Sequence, residues 1–436
     1  MLPDKWKLFA GIIVLIVLGL IFYRDTLLEK GGTADLRNRI VGARLQKDGV
    51  APYTYIYHAG DPVRYYDENN CFEGVSNITS SPFQHTLLYP LCELPQRTIS
   101  RIWLFIEYLL LLITGLLAYR LAKNNTQKVI VCIAFALFLC TEAWKVHIAM
   151  GQTYVLLPFL AMVIYFCFTQ KQSRVAAIVA GLASLSLVLV RPNAAIFFLP
   201  FLFLIGTYSR QYLIWFSASI LLLSAIYFSS SNNRSLWKQF PAAVKESVKQ
   251  HQGFVKTDTT GFYKVKLKEY EGWKADEVRK TTESAFFTRH SEHGNIFNLY
   301  ALVLKRQMPV SMMNLFMGGA IIILFAFHYF SRKKYGAVEL SNVAIFAFCL
   351  YMISDLSSPI YRHQYYTMQW LFPVLLAAAV YKPAYKWLYG GLLLGLLLNI
   401  INTDLIKMEH TIGEYLLLFI LLLLSLTKNL KTAGTT

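Results

Sequence analysis

Four polar stretches, each lodged between apolar segments, carry the side chains able to do chemistry. The first is Gly31-Gly32-Thr33-Ala34-Asp35-Leu36-Arg37, followed by Arg39 and, further on, by Pro52-Tyr53. A carboxylate at a membrane surface can take a proton once burial or a reacting hydroxyl raises its affinity. The second runs Glu142-Ala143-Trp144-Lys145-Val146-His147 to Gly151-Gln152. The third is Arg191-Pro192-Asn193, an arginine with almost no polar loop around it, held near headgroup depth. Its planar fork suits a pair of phosphate oxygens. The fourth begins at Asp355 and contains Ser358-Pro359, Arg362 and His363. Ionisable residues at the ends of spans are unusual enough to suggest function.

Each residue also has a plainer reading. Asp35 could cap the short helix that the periodicity of Arg39-Ile40-Val41-Gly42-Ala43-Arg44-Leu45 predicts. Arg191 could snorkel to the headgroups, and His363 could satisfy a backbone carbonyl. Glu142 could pair with Lys145 or His147. Taken singly, none of them fixes an activity.

The elements that must position them are membrane helices. The chain is 56% hydrophobic with a mean hydropathy of +0.43, above the roughly 45–50% apolar share of soluble domains. About twelve apolar stretches approach the length of a bilayer crossing, near 8–23, 101–121, 128–143, 153–169, 175–190, 193–208, 212–229, 309–330, 338–354, 367–381, 386–401 and 411–427. The first follows Lys5 and Lys7 and is read as a retained anchor, since no small-residue cleavage site follows it. Lysines and arginines then recur on alternate connections: Lys123 with Lys128, Lys171 with Arg174, Arg210, Arg332 to Lys334, Lys382 with Lys386, and Lys428 with Lys431. That alternation predicts cytoplasmic termini and two long outward loops, 24–100 and 230–308. The expected fold is an all-α polytopic membrane protein, one domain over residues 1–436. All four polar stretches then face outward, at a plasma (inner) membrane, on its outer or periplasmic side.

The net charge of +17 does not require a nucleic acid partner. Much of it is the inside bias, and the remainder is the second outward loop, with Lys245, Lys249, Lys256, Lys264, Lys266 and Lys268. That loop could meet anionic headgroups or an anionic acceptor, or be simply a solvated face. Cys71 and Cys92 are the only cysteines outside the spans and share one loop, so a disulfide is expected between them. No histidine or cysteine spacing suggests a zinc site.

Together the stretches resemble the family 87 glycosyltransferases of the GT-C superfamily, polyprenyl-phosphate-dependent, mannosyltransferase-like membrane enzymes. The resemblance lies in the acidic residue after the first span followed by Gly42-Ala43-Arg44-Leu45 and Pro52-Tyr53, and in Gly151-Gln152. It continues in Ala180-Gly181-Leu182-Ala183 leading to Arg191-Pro192, then in Ser358-Pro359 with His363 and Trp370-Leu371-Phe372-Pro373. It covers roughly residues 30–375. The family more often has lysine in place of Arg191, and its late histidine usually stands where this chain has Gln364. A one-residue shift turns a helical side chain by about 100°.

The resemblance implies a GT-C-like bundle that passes a sugar from a polyprenyl-phosphate to an acceptor hydroxyl on a glycolipid or glycan, with inversion. It implies Asp35 as the base and His363 as an orienting or proton-shuttling residue. Arg191, with Arg362 and Lys145, would hold the donor phosphate. Arg39, Tyr53, Glu142, His147, Gln152 and Asn193 would line the acceptor side. No cofactor is implied beyond the lipid-linked sugar, and no metal, since fixed cations can carry the phosphate charge. The competing class is a polytopic transporter or lipid or glycan flippase. Against it stand the absence of a two-half repeat in the sequence and the length of the outer loops.

Overall fold

A computed structural model of the chain describes residues 4–67, 78–251, 265, 267–286, 295–296, 300, 303–306, 308–335, 339–358, 362–381, 386–400 and 409–431. The chain opens with α1 (Asp4–Glu29), which packs Val14, Val17, Leu18, Ile21 and Phe22 against the core and turns its other face outward; Leu15 is 69% exposed. After Gly31-Gly32 comes α2 (Ala34–Lys47), then α3 (Pro82–Leu88) and α4 (Gln96–Leu121). Next are α5 (Asn125–Leu139), α6 (Glu142–Met150), α7 (Leu156–Thr169) and α8 (Arg174–Val190). The starts of α3, α5, α6 and α8 are set by side chains that accept from the backbone three residues on. Ser81 takes Gln84 N, Asn124 takes Gln127 N, Thr141 takes Trp144 N and Ser173 takes Ala176 N.

Residues Pro192–Thr207 wind as a 3-10 segment that contains Pro200, and α9 (Arg210–Ser229) follows. Later come α12 (Val310–Tyr335), α13 (Leu340–Leu356), a 3-10 turn Gln364–Trp370, α14 (Leu371–Val380), α15 (Lys386–Leu397) and α16 (Glu409–Lys431). Helix α13 is buried on every side from Ser341 to Leu356, as an all-round apolar helix at the centre of a bundle must be. On α12 and α9, by contrast, Leu315 and Leu221 are exposed at 75% and 69%, which suits lipid as the outer solvent.

Length separates these helices. Five are long and apolar enough to cross a membrane: Leu8–Glu29, Gln96–Leu121, Arg210–Ser229, Val310–Ser331 and Glu409–Leu426. Helices α5 and α6 form a sixth crossing only if taken as one span bent by 55°. Other stretches read as spans are apolar helices of 10–17 residues, so the described helices do not establish twelve crossings.

The two long loops, 24–100 and 230–308, pack on one another through their described residues. The predicted short helix starts earlier than Arg39 and includes Asp35 in its first turn. The second loop contributes α10 (Ser231–His251), the antiparallel hairpin β1 (Glu269–Tyr270) and β2 (Trp273–Lys274), and α11 (Ala275–Phe286). Leu236 and Phe240 of α10 pack with Val41, Leu45 and Tyr53 behind α2. Cys71 lies outside the described residues. Its expected partner Cys92 is buried, its Sγ 3.4 Å from the Leu88 carbonyl, and burial pushes its thiol up to about 11.

The cationic alternation makes a specific prediction. With the native thiols removed, single cysteines at the exposed positions His58 and Lys274 react with an impermeant reagent in intact cells. One at Gln172, in an exposed turn on the other side of the membrane in this reading, does not. The reverse pattern would move the whole site to the cytoplasm.

Candidate active site

Asp35 is not the cap of its helix. Thr33 is the residue before the first turn, and its hydroxyl is spent on Ser100 Oγ at 2.7 Å. Asp35 instead points to the turn that ends α6. There Gly151 adopts the left-handed conformation (φ 63°), as a helix terminator does. A Cβ at Gly151 would lie 2.6 Å from Leu36 Cβ and 2.7 Å from Thr33 Cβ, so glycine also permits α2 to approach. That approach places Gln152, itself fully buried, against Asp35 and Arg39 of α2. Its Nε2 donates to Asp35 Oδ2, and its Oε1 accepts from Arg39 Nη2 at 2.5 Å. Trp103 Nε1 donates to the Gln152 carbonyl at 3.0 Å and holds the turn in place.

Around Asp35, burial raises the carboxyl above the ordinary aspartate range, while Arg39 and then the Tyr365 hydroxyl pull it back. The Tyr365 OH lies 3.4 Å from Asp35 Oδ2. Arg39 keeps its Nε and Nη1 buried with no protein partner, so two charged donors beside the carboxylate are open to a bound oxygen.

A second cluster is joined to the first through three tyrosines. Tyr365 and Tyr366 stack at 5.2 Å between centroids, and Tyr154 lies 4.2 Å from Tyr366 and 5.4 Å from Tyr365. Arg191 sits over Tyr366 (5.4 Å) and Tyr154 (5.6 Å), and Arg362 over Tyr366 (5.2 Å). Arg191 Nη2 donates to Asp355 Oδ1, and Arg362 Nε to Asp355 Oδ2 at 2.9 Å. Arg362 Nη1 donates to Glu414, which also accepts from Trp370 Nε1 at 2.7 Å and Thr367 Oγ1 at 2.8 Å. Each of the two arginines therefore already has a carboxylate. Arg191 is the more exposed of the pair, 26% against 1%, so any anion that entered would compete with Asp355 for it first.

The structure thus brings together Asp35, Arg39, Gln152, Arg191 and Arg362. His363 joins them at the edge, its ring 5.2 Å from that of Tyr365. Gln364, the next residue, is buried and turned to His410, Nε2 to Nε2 at 2.8 Å. Asn193 Nδ2 reaches Ser354 Oγ at 3.4 Å, beside the arginine cluster.

Other expected residues lie apart. Lys145 Nζ pairs with Glu142 Oε1 at 2.9 Å, the plainer reading of both. His147 is fully buried and pairs with Glu107 at 2.8 Å, beside a small cavity that Glu29 and Thr33 also line. Tyr53 donates to the Ser80 carbonyl at 2.9 Å and packs behind α2.

Much of the recognisable early motif serves packing. A Cβ at Gly42 would lie 2.6 Å from His85 Nε2, so glycine admits that ring. His85 bonds Ser80 Oγ at 2.7 Å and Gln46 Oε1 at 3.0 Å, and burial, with Arg39 adding to it, pushes its pKa down to about 3. The residues that sequence reasoning left aside are Tyr154, Tyr365, Tyr366 and Glu414. The signal that could have found the tyrosines is their place within the polar turns, next to Gln152 and His363.

No family model and no curated protein sequence matches the chain. Among solved structures it is similar to the archaeal oligosaccharyltransferase AglB from Archaeoglobus fulgidus, in complex with an inhibitory peptide and a dolichol-phosphate. Identity is 12% and the TM-score 0.40, over 95% of this chain and 56% of that one, so the chain spans little more than half the length of AglB. A likeness at that level decides nothing about activity.

Proposed function

We propose that the chain is a glycosyltransferase that moves a sugar, a mannose-like hexose or a pentose, from a polyprenyl-phosphate to an acceptor hydroxyl of a glycolipid or glycan. The reaction takes place at the outer face of the membrane. The observation that carries this reading is the pairing of a proton-seeking carboxylate with an arginine cluster through one wall of tyrosines. Asp35, with Arg39 and Gln152 fixing it, is joined to Arg191 and Arg362 by Tyr154, Tyr365 and Tyr366. The stretches that meet there come from four different connections, all assigned to the same side by the cationic loops.

The chemistry follows from these roles. Asp35 takes the proton of the acceptor hydroxyl as its oxygen attacks the anomeric carbon. The bond from that carbon to the phosphate oxygen breaks on the opposite face, so the configuration inverts. The lipid phosphate leaves with added negative charge, which Arg191 meets by giving up part of its contact with Asp355. The stacked tyrosines offer flat apolar walls of the kind a sugar ring packs on.

Purified protein incubated with a panel of polyprenyl-phosphate sugars and candidate glycan acceptors tests the proposal. Release of free polyprenyl-phosphate that depends on an acceptor is the expected result. A panel that yields none, from protein that binds the donors, would rule out transfer.

A further inference from the structure

Helix α2 has two charged faces. At about 100° per residue, Asp35 and Arg39 stand about 40° apart and look toward Gln152. Arg37 and Arg44, seven residues apart, fall within about 20° of each other on the opposite side. Both are buried to 1% exposure. Arg37 donates to the carbonyls of Tyr66 (2.6 Å) and Val63 (2.9 Å), and Arg44 to those of Cys92, Arg64 and Leu94, each at 2.8 Å. Carbonyls carry no countercharge, and two buried guanidinium groups repel. One carboxylate serves both: Glu271 accepts from Arg37 Nη1 and, at 2.9 and 3.0 Å, from Arg44 Nη1.

Glu271 belongs to the second outer loop and stands in an unfavourable place. It is the first central residue of the turn between β1 and β2, at φ +46°, with Gly272 at φ +86° after it. Two-residue hairpin turns with both angles positive favour asparagine, aspartate or glycine. A glutamate there accepts backbone strain, and what it gains is a carboxylate on a stem long enough to reach both arginines. The hairpin is seated firmly: Tyr270 and Trp273 are buried, and Arg37 lies over the Tyr270 ring at 5.2 Å. Behind it, Val278 of α11 covers Gly32, where a Cβ would come within 2.6 Å of Val278 Cγ2. The loop therefore holds both the entry to α2 and its rear face.

We infer that Glu271 is a positioning residue for Asp35: from the second outer loop it clamps the rear of α2 and sets the rotation at which Asp35 meets Gln152, Arg39 and Tyr365. The inference rests on the proposed transfer reaction for its catalytic part, but the clamp itself is measurable without it.

E271N and E271D in the full-length protein provide the test. Asparagine suits the turn at least as well as glutamate but carries no charge. Aspartate keeps the carboxylate on a stem one methylene shorter. Amide hydrogen exchange over Ala34–Lys47 is expected to speed up at least tenfold in E271N while the membrane helices stay as protected as in the wild type. Transfer should lose at least tenfold in kcat with donor KM within twofold. The acid limb of its pH profile should move to lower pH, as a rotated Asp35 gains water. E271D should recover part of each loss. Wild-type exchange over Ala34–Lys47 in E271N would overturn the clamp, and so would an E271D variant that fares worse than E271N. Faster exchange with unchanged kcat and pH profile would leave Glu271 as a structural residue only and overturn the positioning role. If the wild-type protein transfers no sugar, the exchange measurement still decides the clamp, and it is the enzymatic reading that falls.

Discussion

Asp35→Asn lowers transfer by about 10²–10⁴-fold, the usual contribution of a general base, while donor binding persists. In barrier terms that is roughly 3–5.5 kcal/mol. The substitution keeps the shape and the oxygen that accepts from Gln152 Nε2, and removes only the basicity. Its effect on folding is small because two terms oppose. Burial holds the folded-state pKa of Asp35 above that of the unfolded chain, so its ionised form costs stability at neutral pH and deleting the charge relieves that cost. Arg39 at the same time loses its neighbouring countercharge. The wild-type enzyme should also lose activity as pH falls through the Asp35 pKa, at a limb above the ordinary aspartate value of about 3.9. In Asp35→Asn that limb disappears from the residual rate. Near-normal turnover in this variant would move the base elsewhere.

Arg191→Ala raises the donor KM and lowers kcat together, because a departing phosphate gains charge in the transition state. Loss of a charge-assisted contact to a phosphate is worth on the order of 2–3 kcal/mol, or about 30–150-fold in kcat/KM. The variant also strands Asp355 with Arg362 as its remaining cation, so stability must be followed alongside. Arg191→Lys recovers part of the loss: it keeps a cation over Tyr154 and Tyr366 but cannot hold Asp355 and a phosphate oxygen with one planar fork. A lysine variant as impaired as the alanine one, in folded protein, would show that shape and not charge is what Arg191 supplies.

The features legible in the sequence share a physical origin. Apolar runs and cationic loops are strong signals because each obeys a solvent rule that every crossing must satisfy. Gly151-Gln152 was singled out only through the family resemblance, and Asp35 because a carboxylate beside an apolar span is costly to place there. What stayed hidden depends on long-range partners. Glu414 lies 52 residues from Arg362, in what reads as one more apolar span, and nothing local marks it as the carboxylate that Arg362 meets. Tyr365 and Tyr366 look like an interfacial belt until Tyr154 is placed beside them. The second loop drew notice for its lysines, whereas the charge it brings to the buried arginines of α2 is the carboxylate of Glu271. Span number was hardest to read, since apolar helices of 10–17 residues read much like full crossings when only hydrophobicity is visible.

Donor identity separates the proposed lipid-linked transfer from its alternatives. Protein purified in detergent, with no lipid carrier added, is offered an acceptor glycan and a labelled sugar in two forms, one on a polyprenyl-phosphate and one on a nucleoside diphosphate. Label is expected on the acceptor from the lipid-linked donor alone, with one equivalent of polyprenyl-phosphate released per transfer and none of either from Asp35→Asn above its residual rate. Transfer from the nucleotide sugar under the same conditions would contradict it.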